Sequence, residues 1–321
     1  VGSEMCIRDR HMTAMGVSIK DIIQVAFNYG LFTGAFTFNQ AAELVGATVA
    51  PTSIASATIQ LQIMQDFRST VLAASPSFAM HIAETRERQN IDINQIYLKI
   101  GLLGPEAMSP HVRRTLEERL RIQAYSVYGV NEMVEPGVAA ECQEKSGLHL
   151  AEDHFYPEVV DPHSCQPLAP GQEGELVITT LTNEGYPFIR FRTGDLTTLD
   201  LAPCPCGRTG MRIAAPLSRS DDLLMIRGIA IYPEQVARLL GEAAPEVENY
   251  RLIIRKRDGL NDQLEVQVAY PTNFVSDWYR THALADSIRA HLRRAIGLGV
   301  KVKLVEESTL ASEKGQIVFE E

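Results

Sequence analysis

Between Met15 and about Asp200, short apolar runs alternate with longer stretches whose apolar positions recur at three- and four-residue intervals. Thr48 to Pro51, Ser69 to Ala73, Tyr97 to Leu103 and Ile122 to Tyr128 have the β-branched or apolar character of buried strands. Ala57 to Phe67, Pro76 to Arg88 and Pro110 to Arg121 lie between them with helical spacing. Strand and helix alternating at this pitch predict an α/β fold built on a parallel sheet. After Tyr128 the pattern changes. Glu158 to Asp161, Gly174 to Leu181, Phe188 to Phe191 and Leu196 to Asp200 read as short strands set off by Pro and Gly turns, a β-rich subdomain packed against the sheet.

A small α+β domain is expected over 221–321, after a larger domain over 11–220. Leu223 to Arg227, Tyr250 to Arg257, Gln263 to Tyr270 and Val300 to Glu306 read as strands, and Pro233 to Gly241 and Asp277 to Ile296 as helices. Pro233 stands where a first helical turn tolerates it. Residues 1–10 (VGSEMCIRDR) show neither period nor the apolar core of a signal peptide. They resemble translated sequencing adapter and are set aside as foreign, with the natural protein expected to begin upstream.

Composition narrows the class. The 321 residues are 45% hydrophobic and 22% charged, enough for about two domains with cores of their own. The formal charge of −10 disfavours nucleic acid and anionic membrane as partners. No run reaches the roughly 18 apolar residues that span a bilayer. Five cysteines, odd in number and unevenly spread, do not form a secreted disulfide framework. A soluble cytoplasmic protein is the expectation.

Three polar motifs punctuate the pattern. Ser126-Val-Tyr-Gly-Val-Asn-Glu132 follows an apolar strand and so lies at the carboxyl edge of the sheet, where open α/β folds bind ligands. There Tyr128, beside Gly129, could stack on a planar base and Glu132 could hold a hard cation; alternatively the Tyr-Gly pair is a structural turn. Arg190-Phe-Arg-Thr-Gly-Asp-Leu196 places Asp195 after a glycine turn between two strands, as a ribose-binding carboxylate or as a turn residue bonded to its own backbone. Ser218-Arg-Ser-Asp-Asp222 falls at the inferred domain boundary, as hinge or as solvated linker.

In order and spacing these motifs resemble the adenylate-forming acyl-CoA synthetases, and among them the phenylacetate–CoA ligase family. Tyr29-Gly-Leu-Phe-Thr-Gly34, Tyr128-Gly-Val-Asn-Glu-Met133, Glu152-Asp-His-Phe-Tyr-Pro-Glu158, Arg192-Thr-Gly-Asp195 and Ile226-Arg-Gly228 with Tyr232-Pro233 carry the likeness, which runs from about residue 15 to the C-terminus. The resemblance implies a ligase that joins a carboxylic acid to coenzyme A at the expense of ATP, through an acyl-adenylate and with Mg²⁺. It implies adenine stacking by Tyr128, Mg²⁺ contact by Glu132 and ribose binding by Asp195. Arg219 would lie beside ribose and phosphate, Asp221 would be the domain hinge, and Gly228 would allow pantetheine to approach. A homodimer is expected only at the level of the family.

Two departures qualify this. The family's Ser/Thr/Gly-rich phosphate loop lies upstream of Tyr29, where the foreign decapeptide now stands, so the fragment alone is expected to be inactive. Near the C-terminus, where the family has Gly-Lys, this chain has Gly315-Gln316; Lys314, two residues earlier, is the candidate replacement. Gln316 carries no positive charge. The alternative function is therefore a differently specific or non-catalytic member that binds nucleotide or zinc.

A separate chemical signal comes from Cys142, His149, Cys204 and Cys206. The Pro203-Cys-Pro-Cys-Gly207 knuckle and the earlier pair suit a tetrahedral, structural Zn²⁺, the alternative being separate buried cysteines. The aromatic stretch Tyr29 to Phe38 could line an aryl-acid pocket or form helical core.

Overall fold

The computed structural model describes residues 9–30, 34–216, 218–245, 247, 249–257, 260–269, 278–306, 309–310 and 315–320. They fall into two units, Val1–Asp221 and Asp222–Glu321.

In the first unit, β1 (Ile22–Val25), β2 (Thr48–Ala50), β3 (Val71–Ala74), β4 (Ile100–Leu103) and β5 (Gln123–Val130) pair in the order β2-β1-β3-β4-β5, all parallel. Between them run α2 (Gly34–Val45), α3 (Ala57–Phe67), α4 (Pro76–Arg88) and α5 (Pro110–Leu120), after a short α1 at residues 9–14. Ser75 and Ser109 cap α4 and α5 by accepting from the amides of Phe78 and Val112 at 3.2 Å, and a proline follows each cap. Cap and proline together satisfy and pre-shape the first turn. Ile23, Val25, Val71, Ala73 and Leu102 form a core with Phe38 and Ala42 of α2, while the alternate positions Leu72, Ala74 and Leu103 are equally buried. That two-sided burial is why these strands read as unbroken apolar runs.

From β5 the sheet continues antiparallel through β6 (Val134–Ala140), β7 (Leu148–Leu150), β11 (Arg212–Ile213), β10 (Phe191–Asp200), β9 (Glu173–Thr180) and β8 (Phe155–Val160), with β12 (Ser218–Arg219) paired to β10. Here the structure corrects the sequence reading. Phe191 to Asp200 is one strand rather than two, and Gly194 lies in a bulge within it, not in a turn between strands. The Arg10 guanidinium bonds the exposed Asp153 carboxylate at 2.8 and 3.0 Å.

The second unit is a four-stranded sheet in the order β17 (Lys301–Val305), β16 (Leu260–Ala269), β15 (Tyr250–Arg257), β18 (Gln316–Glu320). Leu252, Ile254, Leu264 and Val266 share a core with Val236 and Leu240 of α6 (Pro233–Ala243) and Ile288 and Leu292 of α7 (Trp278–Ile296). A hairpin of β13 (Leu224–Ile226) and β14 (Ile229–Ile231) adds Ile226 and Ile231 to that core. Its Arg227-Gly228 turn has positive φ at both residues, 50° and 74°, the geometry that right-twisted two-residue hairpins require. The strand β18, parallel to β15, goes beyond the elements read from the sequence. Among the described residues no helix is long and apolar enough to cross a membrane.

Candidate functional site

Two glycine bulges bring the polar motifs of the first unit together. The β5–β6 register shifts between Tyr128 and Val130, around Gly129, and the β10–β9 register shifts between Arg192 and Leu196, around Gly194. Bulges bend a strand and re-aim its side chains, and glycine supplies the backbone freedom they need. The second bulge is held from below by Glu175, which is 2% exposed. Its carboxylate accepts from Arg192 Nε at 3.0 Å and from the Gly194 amide at 3.2 Å. The Asp195 amide donates to Thr193 Oγ1 at 3.1 Å, fixing the turn of the chain that presents the Asp195 carboxylate.

The Tyr128 hydroxyl donates to Asp195 Oδ2 at 2.6 Å, and Arg219 pairs with Asp195 Oδ1. Asp195 and Arg219 are register partners across β10 and β12. The same guanidinium binds Asp221 through Nε at 2.6 Å and Nη2 at 2.8 Å, and donates to the Thr193 carbonyl at 2.8 Å. Four of the sequence-derived site residues, Tyr128, Asp195, Arg219 and Asp221, thus form one hydrogen-bonded group. Burial, and then the Asp195 charge, push the Tyr128 hydroxyl well above the usual tyrosine range, so it stays a donor. Burial also pushes the Asp195 carboxyl up, against the pull of Arg219 and the Tyr128 hydroxyl.

Glu132 sits on the exposed turn 131–133 after β5. Gly228 is in the β13–β14 turn, and Gln316 opens β18 opposite Arg251. Lys314 lies outside the described residues. The supports Glu175 and Thr193 were not singled out from the sequence; Glu175 stands one place before an apolar strand run, where a buried acid leaves no pattern of its own.

Beside Gly129, at the carboxyl ends of β4 and β5, a small apolar crevice of about 10 Å³ is walled by Phe27, Phe38, Pro105, Val127 and Pro136. Phe27 and Phe38 stack with ring centroids 5.4 Å apart. Phe38 therefore serves both of the readings open for the aromatic stretch: it is helical core and crevice wall at once.

Cys142, His149, Cys204 and Cys206 also come together, their ligand atoms all within 4.8 Å of one another. The Cys142–Cys204 sulfurs are 3.8 Å apart and Cys206 Sγ is 3.6 Å from His149 Nε2. A Zn²⁺ with tetrahedral bonds of about 2.3 Å to sulfur and about 2.0 Å to nitrogen has edges of about 3.8 and about 3.5 Å. Two of the six edges match these lengths, and the others are at most 4.8 Å. Burial, then Arg208 and Arg212, hold His149 below its usual value and hence neutral, as a metal ligand must be. Burial lifts the Cys142 thiol to about 11; burial also raises Cys206, but hydrogen bonds from Arg208, Cys204 and Cys142 together bring it down to about 7. Cys165 is exposed and outside this set.

Residues 10–183 match the family of AMP-binding enzymes, and residues 228–319 the AMP-binding enzyme C-terminal domain. The phenylacetate-coenzyme A ligase of Aromatoleum evansii is 39% identical over 300 residues, covering 92% of this chain and 67% of that protein. That of Thermus thermophilus is 35% identical over 319 residues, covering 95% and 72%. A solved structure of 2-hydroxyisobutyryl-CoA ligase with 2-HIB-AMP and CoA shares the fold at a TM-score of 0.91 and 24% identity, covering 99% of this chain and 69% of that one. The chain belongs to the AMP-binding enzymes and, within them, to the phenylacetate–CoA ligase family.

Proposed function

We propose that this protein is an ATP-dependent acid–thiol ligase acting on an aryl or arylalkyl acid, with phenylacetate the first candidate. The acid's carboxylate oxygen attacks the α-phosphorus of ATP; the bond to the bridging oxygen breaks and pyrophosphate leaves. The CoA thiol then attacks the acyl carbon, giving up its proton, and AMP departs as the thioester forms. A Mg²⁺ would spread the charge developing on the transferring phosphoryl group.

The observation that carries this reading is the Asp195 carboxylate. Tyr128 occupies one acceptor site on Oδ2 and Arg219 one on Oδ1. A carboxylate has about four such sites, so one remains on each oxygen, matching the two hydroxyls of a ribose. In this reading the Tyr128 ring stacks on adenine, Glu132 contacts Mg²⁺, and Arg219 faces ribose and phosphate. Asp221 acts as the hinge and Gly228 admits the pantetheine chain to the backbone. Phe38, from the aromatic stretch, contributes to the wall that receives the aryl end of the acid. The Cys142, His149, Cys204 and Cys206 set holds a structural Zn²⁺, because it offers four protein ligands and no open position.

A second reading, a member that binds nucleotide without turnover, is favoured by one residue: Gln316 stands where the family carries its lysine. The test measures AMP binding by calorimetry, then acid-dependent pyrophosphate release by the chain carrying the family's phosphate loop, with and without Gln316→Lys. Acid-dependent release from either form supports the ligase. AMP binding without release from both supports the binding protein, and no AMP binding removes both readings.

A further inference from the structure

Between the register pairs Arg192–Val177 and Leu196–Glu175, β10 sets three residues against the single Leu176 of β9. The middle one is Gly194, at φ +78°. Glycine has the widest backbone freedom of any residue, so the peptide that leads into Asp195 must be fixed by contacts from outside. The Thr193–Gly194 peptide is held at both ends: its carbonyl accepts from Arg219 Nη2 at 2.8 Å, and its amide donates to Glu175 Oε1 at 3.2 Å. Arg219 is a long side chain shared with Asp195 and Asp221, whereas Glu175 is buried in the sheet beside Leu176 and Val177. Glu175 is the fixed end. A buried carboxylate is costly unless its oxygens are bonded. Arg192 bonds both of them through Nε, at 3.1 and 3.0 Å, and is itself anchored to the Pro162 carbonyl through Nη2 at 2.9 Å. That ion pair needs no glycine; the second use of Oε1 ties it to the residue on which Asp195 turns.

Resting on the ribose-binding reading of Asp195 above, we propose that Glu175 is a positioning residue for nucleotide recognition: it fixes the Gly194 peptide so that the free acceptor sites of Asp195 meet the two ribose hydroxyls. Glu175 touches no part of the nucleotide in this assignment. Its influence is confined to the ribose and leaves stacking on the base alone. A glutamine at 175 has one acceptor oxygen for the Arg192 and Gly194 donors and turns its own donor toward one of them.

The experiment titrates AMP and 2′,3′-dideoxy-AMP by calorimetry into the full chain and into Glu175→Gln. Wild type should bind AMP at least about tenfold tighter than the dideoxy nucleotide, a difference of about 1.4 kcal/mol, because a site that bonds hydroxyls rejects the analogue that lacks them. Glu175→Gln should bring the two affinities within about threefold of each other, through loss of AMP affinity, while dideoxy-AMP affinity stays within about threefold of wild type. A merely structural role would weaken both nucleotides in proportion and preserve the ratio. Melting temperature identifies a variant that fails to fold. Glu175→Asp, which keeps the charge opposite Arg192 but is one methylene shorter on the Gly194 side, then takes its place with the same expectation. A preserved ratio in the folded variant overturns the positioning role and leaves the ribose reading of Asp195 intact. Equal binding of the two nucleotides by wild type, or no AMP binding at all, removes the ribose reading and the positioning role with it.

Discussion

The Tyr128 hydroxyl and the Asp195 carboxylate, 67 positions apart in the chain, meet at 2.6 Å. Each stands next to a glycine bulge, so the contact depends on two local departures from regular pairing. The hydroxyl orients the carboxylate, whereas the ring is the part available to a base. Separating these contributions gives the first prediction. Tyr128→Phe should leave AMP affinity within about threefold and cost about 1.5–3 kcal/mol of stability, the range for a hydrogen bond to a charged group. Tyr128→Ala and Asp195→Asn should each weaken AMP binding by about tenfold or more, since base–aromatic stacking contributes about 1–3 kcal/mol. Calorimetric titration with AMP and thermal unfolding of the same samples check both parts. Equal AMP affinity in wild type and Tyr128→Ala would dismiss stacking.

Gly194 has φ +78°, and a Cβ there would run into Arg219 Nη2 and lie 2.7 Å from Asp221 Oδ2. Gly194→Ala should therefore do two things. It should lower the melting temperature by about 2–4 °C, the equivalent of about 1 kcal/mol for a unit of this size. It should also displace Arg219 and weaken AMP binding severalfold. Gly171→Ala is the control, because φ there is +85° with nothing within 4 Å of a new Cβ. It should reproduce the thermal loss and leave AMP affinity unchanged. If both variants bind AMP like wild type, Arg219 is not a nucleotide contact.

How much of this was legible in the sequence follows from how each feature is encoded. The helices Ala57–Phe67 and Pro76–Arg88 match their sequence-derived limits because a serine cap and apolar spacing mark the same start in each, with a proline added in the second. The strands β1 and β18 escaped for a different reason. One is four residues long, and the other is a sheet-edge strand only half-buried along most of its length, so neither has a strong period. The clustering of Cys142, His149, Cys204 and Cys206 was legible because side-chain identity is chemistry written directly in the sequence. The Asp195 bulge was not, since Thr193-Gly194 reads equally as a turn. What distinguishes the two is Glu175, a buried acid on the neighbouring strand that accepts from Arg192 and the Gly194 amide.

The second unit carries an acid-sensitive element. Glu265 is 1% exposed, with its carboxylate 3.0 Å from Lys301 Nζ, 3.5 Å from Arg255 and bonded to Gln267 at 2.8 Å. Burial alone would raise its pKa, but Gln267, Lys301 and Arg255 together hold it below the ordinary 4.5. A carboxyl depressed in the folded state stabilises fully above its unfolded value, and that contribution disappears as pH falls through the folded value. The wild-type melting temperature should thus decline more steeply below pH 4.5 than that of Glu265→Gln. At pH 7 the order reverses, with the variant less stable because Lys301 and Arg255 lose their counter-charge. Parallel curves for the two proteins between pH 7 and 3 would refute the role given to Glu265.

The metal prediction is independent of the nucleotide. His149 comes from β7, Cys142 follows β6, and Cys204 and Cys206 form the knuckle after β10, where the Cys204 amide donates to the Arg208 carbonyl at 3.0 Å. A Zn²⁺ held by these four would tie the knuckle to the β6–β7 end of the antiparallel sheet and compel Cys142 to ionise despite the burial that raises it. Elemental analysis of the purified chain should give about one equivalent of zinc. Cys204→Ser should lose the metal and melt about 4–8 °C lower, corresponding to about 2 kcal/mol, and Cys165→Ser should do neither. AMP affinity should survive Cys204→Ser, because no member of the cluster bonds to Tyr128, Asp195 or Arg219. Zinc well below one equivalent, together with a Cys204→Ser protein that melts like wild type, would mean that the four side chains meet without a metal and that the knuckle is held by its backbone hydrogen bonds alone.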